Sequence, residues 1–395
     1  MLDAENQAFI HDPYPFYRKL QEQSRLYFQP SHEETVPDRW FLSHYDDVVH
    51  VLKDKRFGRE NEANVSSGYT ALEAVNRGVM LHRDPPDHTR LRSLVSKAFT
   101  PAMVAQLRPN IEQICDELLD VMEEKQDVDL IADLAMPLPV MVISDMLGVP
   151  KEDRVLIKNW SHVLAGTLEP GITPANETDG MKAGMEFIQY LQDIFEQRNK
   201  HPKDDLITSL LQVEEAGETL SRSELYATCI LLLAAGHETT TNLIGNGLFT
   251  LWKHQDELSK LRADPELTPS AVEEILRYEP PIQRTGRFAQ QDVELYGKQI
   301  KKGQLVVTLL AAANRDPKQF TDPERFDISR QPNRQIGFGM GIHYCLGAPL
   351  ARLEGDIVFR KLLSRFSSLD INVSNPEWNR MVIFRGLKKL PGTVC

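Results

Sequence analysis

A mainly helical fold with small β-sheets is the architecture this sequence predicts, and three observations carry that expectation. Apolar residues recur at helical spacing through most of the chain, as in Ile111, Ile114, Leu118, Leu119 and Met122. Strand-like runs are few and short: Arg39 to Leu42, Val293 to Tyr296, and Gln304 to Leu310. From Ser221 to about Trp252 an apolar pattern runs on without a proline, which predicts one long helix through the interior.

Turn chemistry marks the breaks between elements. Asp84-Pro85-Pro86 precedes a helical stretch in which His88 and Arg92, four apart, share a face. Glu169 to Gly180, rich in Pro, Gly and Thr, reads as a surface loop between two helical segments. Residues 61 to 81, with Ser66-Ser67-Gly68, read as another loop. Ser221-Arg222-Ser223-Glu224 has the form of a capping box and starts the long helix. Glu279-Pro280-Pro281 ends the segment that holds Glu274 and Arg277.

The long helix carries an anomaly. Glu238, Thr239 and Thr240 interrupt its apolar middle, and a buried carboxylate is costly without a partner. Glu238 either faces outward with Asn242, one turn on, or faces inward with Leu231 and Ala234, which precede it on about the same face. His237-Glu238 resembles part of a zinc protease motif, but position 241 is Thr and not a second His, so zinc is excluded.

Length alone suggests two or three domains for 395 residues. No linker, repeat or low-complexity tract divides the chemistry-bearing segments, so one domain over 1–395 is expected. A net charge of −12 argues against broad nucleic-acid affinity, which needs clustered cations. Asp3 and Glu5 break any signal-peptide core, and the longest apolar run, Ile230 to Ala235, falls far short of the roughly 18 residues that span a bilayer. A cytoplasmic protein without a membrane anchor is expected. Cys115, Cys229, Cys345 and Cys395 show neither disulfide nor metal spacing; Cys115 and Cys229 lie in helical patterns and read as core.

Cys345 stands apart from the other three. It sits in Phe338-Gly339-Met340-Gly341-Ile342-His343-Tyr344-Cys345-Leu346-Gly347, just before an amphipathic helical segment. Short residues let backbone N–H groups approach the sulfur, and the helix presents its positive end, which suits a thiolate metal ligand. On the cysteine alone, a buried inert thiol is the alternative.

The neighbours decide between these readings. The pattern Phe-x-x-Gly-x-His-x-Cys-x-Gly closely resembles the haem-binding loop of cytochromes P450. Three further segments agree in the family's order: Ala235-Gly236-His237-Glu238-Thr239-Thr240, Glu274-Ile275-Leu276-Arg277 and Pro323-Glu324-Arg325-Phe326. The chain is identified on these grounds as resembling a soluble bacterial-type P450, with haem between the long helix and the cysteine loop.

The resemblance implies roles residue by residue. Cys345 would be the axial thiolate of a noncovalent haem b, since there is no Cys-x-x-Cys-His attachment motif. Gly341 and Gly347 would allow the turn and close backbone approach, and Phe338 would pack beside the porphyrin. His88, Arg92, Arg287 and His343 match propionate-binding positions, with Arg284 as an alternative to Arg287. His343 stands where many relatives carry Arg, which would make its contribution pH-dependent. Ala235 and Gly236 would leave room for dioxygen, Thr239 would hydrogen-bond it or a nearby water, and Glu238 would link that water to solvent. Glu274, Arg277 and Arg325 would form a buried structural cluster.

Leu231, Ala234, Ile282, Gln283, Ile383 and Phe384 align with pocket-lining positions and imply a lipophilic substrate. The loops at 169–180 and 61–81 would be the lid and a pocket wall. No flavin or iron–sulfur segment accompanies these motifs, so a ferredoxin or flavodoxin with its reductase is the expected electron source for a monomeric enzyme. Arg352, Arg360, Lys361 and Arg365 could form a basic docking patch or a plain solvated face. The implied activity is hydroxylation or epoxidation with O2. A hydrogen-peroxide-driven peroxygenase, which the Glu238–Thr239 pair disfavours, and a non-catalytic haem sensor, which would not require the pair and predicts no turnover, are the alternatives.

Overall fold

The computed structural model describes residues 2, 5–30, 38–61, 78–166, 174–215, 217–373 and 376–395. Helices dominate the described residues, and the small sheets gather around one long helix. The helices that place the site are α1 (Tyr45–Lys53), α2 (Asp87–Ala98), α3 (Arg108–Lys125), α4 (Pro137–Leu147), α5 (Arg154–Gly166), α6 (Pro174–Lys200), α7 (Arg222–Lys253), α8 (Thr268–Tyr278) and α9 (Ala348–Arg365).

The α7 helix is the axis of the molecule. Its capping box is formed: Ser221 Oγ accepts from the Glu224 N–H at 3.3 Å, and the Glu224 carboxylate accepts from the Ser221 N–H at 2.8 Å. It packs against α4, α5, α8 and α9, and nearly every residue from Leu225 to Leu251 is buried as a result. This all-round burial explains why no polar face is visible in its sequence. The periodic segment read from Ile111 to Met122 is α3, with Ile111, Ile114, Leu119 and Met122 in the core.

The main sheet has five strands: β1 (Tyr27–Gln29), β2 (Arg39–Leu42), β3 (Phe57–Gly58), β4 (Thr285–Ala289) and β5 (Leu305–Thr308), in the order β1-β2-β5-β4-β3. Only β2 against β5 is parallel. A second apolar cluster, including Trp40, Leu42, Val48, Val51, Phe57 and Val306, fixes α1 to this sheet.

Two of the three strand expectations need trimming. The strand from Val293 stops at Leu295, because Tyr296 turns into the left-handed region at φ 53°. The run from Gln304 is strand only as far as Thr308, and Leu310–Ala313 closes into a helical turn. The loop expected over Glu169 to Gly180 is corrected as well: helix α6 already begins at Pro174, with the proline at its first position. Residues 167–173 of that segment, and 62–77 of the loop read at 61–81, lie outside the described residues.

Candidate haem and oxygen-activation site

The Cys345 loop is shaped by two left-handed glycines, Gly339 at φ 73° and Gly341 at φ 74°. A Cβ on Gly341 would stand 2.4 Å from the Leu52 carbonyl oxygen, so α1 can pack on the loop only with glycine there. Gly347, at φ −80°, is the cap of α9, and a Cβ there would stand 4.0 Å from Cys345 Sγ. The N–H groups of Gly347 and Ala348 point at Cys345 Sγ. Burial pushes the thiol up on balance, and those two N–H groups and Arg92 partly offset it. Phe338 packs with Tyr344 and under the Arg352 guanidinium, 4.5 Å from its ring centre.

Facing outward from the buried body of α7 is one interrupted stripe. Leu231, Leu232, Ala234, Ala235, Gly236 and Thr239 keep partial exposure in the middle of a helix otherwise enclosed. Small residues hold the stripe open; a Cβ on Gly236 would meet only Ile143, at 3.5 Å. The Thr239 hydroxyl donates to the Ala235 carbonyl at 2.8 Å, leaving its oxygen lone pairs as acceptors toward the stripe.

Glu238 faces inward, not outward with Asn242, and it has partners. Its Oε2 lies 3.6 Å from His162 Nδ1 on α5 and 3.6 Å from His237 Nε2. Burial raises the Glu238 carboxyl, but His162 and His237 outweigh it and hold it below the usual carboxylate range. His162 is raised, chiefly by Glu238 against a smaller burial effect. Its side chain is 65% exposed, against 10% for Glu238, so it bridges solvent and the buried acid. His237 Nδ1 lies 3.1 Å from the Leu233 carbonyl and 3.2 Å from Ser161 Oγ, so Nδ1 carries a proton and Nε2 is the nitrogen turned to Glu238. Burial lowers His237, against the opposing pull of the Glu238 charge.

A second carboxyl lies behind the stripe. Glu354 on α9 is 1% exposed, next to Thr240, and burial pushes it up to about 8, so it is protonated at neutral pH.

The expected propionate anchors converge. His88 and His343 pack ring to ring, centroids 4.3 Å apart, and Arg287 adds its charge beside both. The Nε2 atoms of both histidines are buried without a hydrogen-bond partner. Arg92 lies close enough to feel the Cys345 sulfur. Burial pushes His343 down to about 4, so near pH 7 it offers a neutral N–H, and the expected pH dependence falls well below neutrality. Arg284, the alternative to Arg287, donates to the Leu2 carbonyl at 3.3 Å, toward the N-terminal segment. Two orphaned imidazole nitrogens, buried cations and a sulfur held by N–H groups form a donor set that fits a haem, its two propionates and its iron.

The structural cluster needs one correction. Glu274 and Arg277, both fully buried, pair through two hydrogen bonds of 2.8 Å. The third member is Arg330, whose Nε lies 3.2 Å from each Glu274 oxygen. Arg325 turns its side chain to solvent and contributes only its carbonyl, which accepts from Arg277 and Arg330. Asn333 completes the carboxylate's shell at 3.1 Å.

The matching segments and this site belong together on one fold. The family model for cytochrome P450 matches residues 26–383. The chain belongs to the cytochrome P450 family. Curated P450 relatives include CYP107DY1 of Priestia megaterium, 41% identical over 98% of each chain. The polyketide biosynthesis P450 PksS of Bacillus subtilis is 40% identical, covering 99% of this chain and 98% of that one. Among solved structures, P450BioI in complex with a hexadec-9Z-enoic acid-ligated acyl carrier protein superposes with a TM-score of 0.93 at 39% identity, over 98% of this chain and 99% of that one. This P450 is a haem b monooxygenase by family, and among the described residues no helix is long and apolar enough to cross a membrane.

The pocket candidates divide. Residue Ile282 bridges Phe384 in an antiparallel pair, and the Gln283 N–H donates to the Ile383 carbonyl at 2.8 Å, so the two segments do meet. Leu231, Ala234, Ile282 and Ile383 keep partial exposure. Gln283 does not: its amide is used up between Tyr17 Oη and the Pro280 carbonyl, so it is a buried brace. Phe384 is likewise buried. Of the two readings of the basic helix face, docking patch or solvated surface, the patch is not supported. Arg352 pairs with Glu273, Arg360 with Glu266 and Asp356, Lys361 with Asp116, and Arg365 with Asp120 and Glu123, which neutralises that face.

His162, Arg330 and Glu354 were not singled out by the sequence, and His237 was read only as half of a zinc motif that position 241 leaves incomplete. Glu354 did leave a signal, since it stands between buried Leu350 and Val358 on one face of α9. His162 left none, because its partner comes from another helix.

Proposed function

We propose that this P450 inserts one oxygen atom of O2 into a lipophilic acyl or polyketide-like chain, using two electrons from a separate ferredoxin or flavodoxin. The balance is R–H + O2 + two electrons + two protons giving R–OH + water. The observation that carries the proposal is the open stripe of α7, with Thr239 on it and an ionised Glu238 behind it.

Haem bound through Cys345 supplies the reductive activation of dioxygen. Around it, the chain's own residues set orientation and proton supply. The Gly347 and Ala348 N–H groups hold Sγ for iron ligation. Ala235 and Gly236 present no side chain large enough to fill the space above them. Thr239, with its proton committed to Ala235, accepts from a water and fixes its orientation. Ionised Glu238 accepts a proton from protonated His162, whose ring reaches solvent, and passes it on toward that water. Glu354 holds a second proton at neutral pH on the far side of Thr240.

Leu231, Ala234, Ile282 and Ile383 offer apolar contact, which orients a hydrocarbon and excludes bulk water. The acyl carrier complex of P450BioI and the polyketide role in the name of PksS support that substrate class. Ile342 and Tyr344 are exposed on the cysteine loop and give a redox partner an apolar contact close to Cys345. The test is a Soret-shift screen of fatty acids, acyl carrier conjugates and macrolactones, followed by turnover with a surrogate ferredoxin and reductase. Oxygen-18 from O2 appearing in the product supports the proposal; binding without turnover by any surrogate overturns it.

A further inference from the structure

Arg59 stands one residue beyond β3. In the register of β3 with β4, Phe57 faces Ala289 and Gly58 faces Phe288, so Arg59 falls directly across from Arg287. Residues directly opposite project on the same side of a sheet, and two like charges placed so repel each other. Here they also converge on one acceptor: Arg59 Nη1 donates to the Gly286 carbonyl at 3.2 Å and Arg287 Nη1 at 2.8 Å. Arg59 Nε is buried and has no hydrogen-bond partner.

The carboxylate facing this pair is already committed. Asp84 accepts from the backbone N–H of Arg59 at 2.9 Å and of Glu60 at 3.0 Å. Gly58 makes that grip possible, since a Cβ there would stand 2.2 Å from Asp84 Oδ2. The cations around the pair therefore outnumber the anions. Burial pushes Arg59 down to about 10 and Arg287 to about 9, with Arg59 lowering Arg287 further, and burial together with Arg59 pushes His82 to about 4. A carboxylate placed between the two guanidiniums would satisfy the orphaned Nε and remove the repulsion.

We propose that Arg59 is a further haem-holding residue, clasping one propionate with Arg287 from the sheet side while His88, Arg92 and His343 serve from the cysteine-loop side. This rests on the haem reading of the Cys345 site. A substrate carboxylate is the same chemistry from another source, and the test separates the two.

Haem transfer from substrate-free holoenzyme to excess apomyoglobin, and the ferric–ferrous midpoint potential, are measured for the parent, Arg59→Met and Arg59→Lys. Loss of a charged hydrogen bond predicts haem loss about tenfold faster in Arg59→Met. Its potential falls, because a positive charge that disfavours ferric iron is gone. Arg59→Lys keeps the charge and loses the planar fork, so it sheds haem faster than the parent at the parent's potential. If Arg59→Met does not accumulate as holoprotein, the lysine variant carries the test by its haem-loss rate. Parental haem loss and potential in the variants overturn the proposal. So does a loss confined to the Soret shift with myristic acid, which assigns Arg59 to a substrate carboxylate. A parent protein lacking the thiolate carbon monoxide band is a different failure, that of the haem reading itself.

Discussion

At Thr239 a single hydrogen bond decides what the side chain can do. Because its hydroxyl donates to Ala235, its oxygen is presented as an acceptor on the open face of α7. Thr239→Ala removes that acceptor without disturbing the packing behind the helix. The expected outcome is uncoupling: reductant consumption continues while peroxide rises and product per electron falls by roughly tenfold or more, in line with positioned proton transfer. Parallel assays of peroxide and product against reductant consumed check this, and unchanged product per electron contradicts it. The type of residue at 238 and 239 was legible in the sequence because a charge in an apolar helix needs a reason. The direction in which Glu238 faces was not, because its partner His162 lies on α5 and no spacing along α7 encodes it.

Between elements, the His162–Glu238 pair ties α5 to α7 directly behind the oxygen site. Its pH window follows from the two shifts. His162 is raised above 6.5, so its contribution is complete below that value and is lost as pH rises through the raised one. Glu238 is held below 4.5, so its contribution is present above that value and is lost as pH falls through the lowered one. Coupling of reductant to product should therefore decline on the alkaline side as His162 deprotonates. His162→Gln should remove that alkaline limb from the pH profile, and a profile of unchanged shape would contradict the role given to His162.

The Glu274–Arg277 pair gives a second test at this scale. Arg330→Met removes the third arm of a buried carboxylate cluster and should cost about 3 kcal/mol with loss of haem incorporation. Arg325→Met changes an exposed side chain outside the cluster and should stay within about 0.5 kcal/mol. Denaturant midpoints and haem content of the two variants distinguish them; equal losses would contradict the assignment. The sequence pointed to Arg325 because its segment matches the family's pattern. Only the fold shows that the chain turns at Asp322, which has a positive φ of 44°, and returns Arg330 to the carboxylate eight residues later.

Across the whole molecule, long-range geometry brings together residues far apart in the chain. Cys345 and its loop, α7 with its capping box, and the periodic helix α3 were legible because their signals are local: cap chemistry, spacing and glycine content. Arg59 meeting Arg287, Glu354 lying behind Thr240, and the ion pairs that neutralise the α9 face were not. Each arises from tertiary packing between segments with no shared pattern. The same packing places the Cys345 sulfur under two backbone N–H groups, with Arg92 nearby and His88 stacked on His343 of the same loop.

That placement is the centre of the account, and the reduced carbon monoxide difference spectrum tests it most directly. The parent protein should show the band of a thiolate-ligated ferrous haem, and Cys345→His should retain bound haem but lose that band. A parent without the band, or a Cys345→His variant that keeps it, would contradict the assignment of Cys345 as the iron ligand.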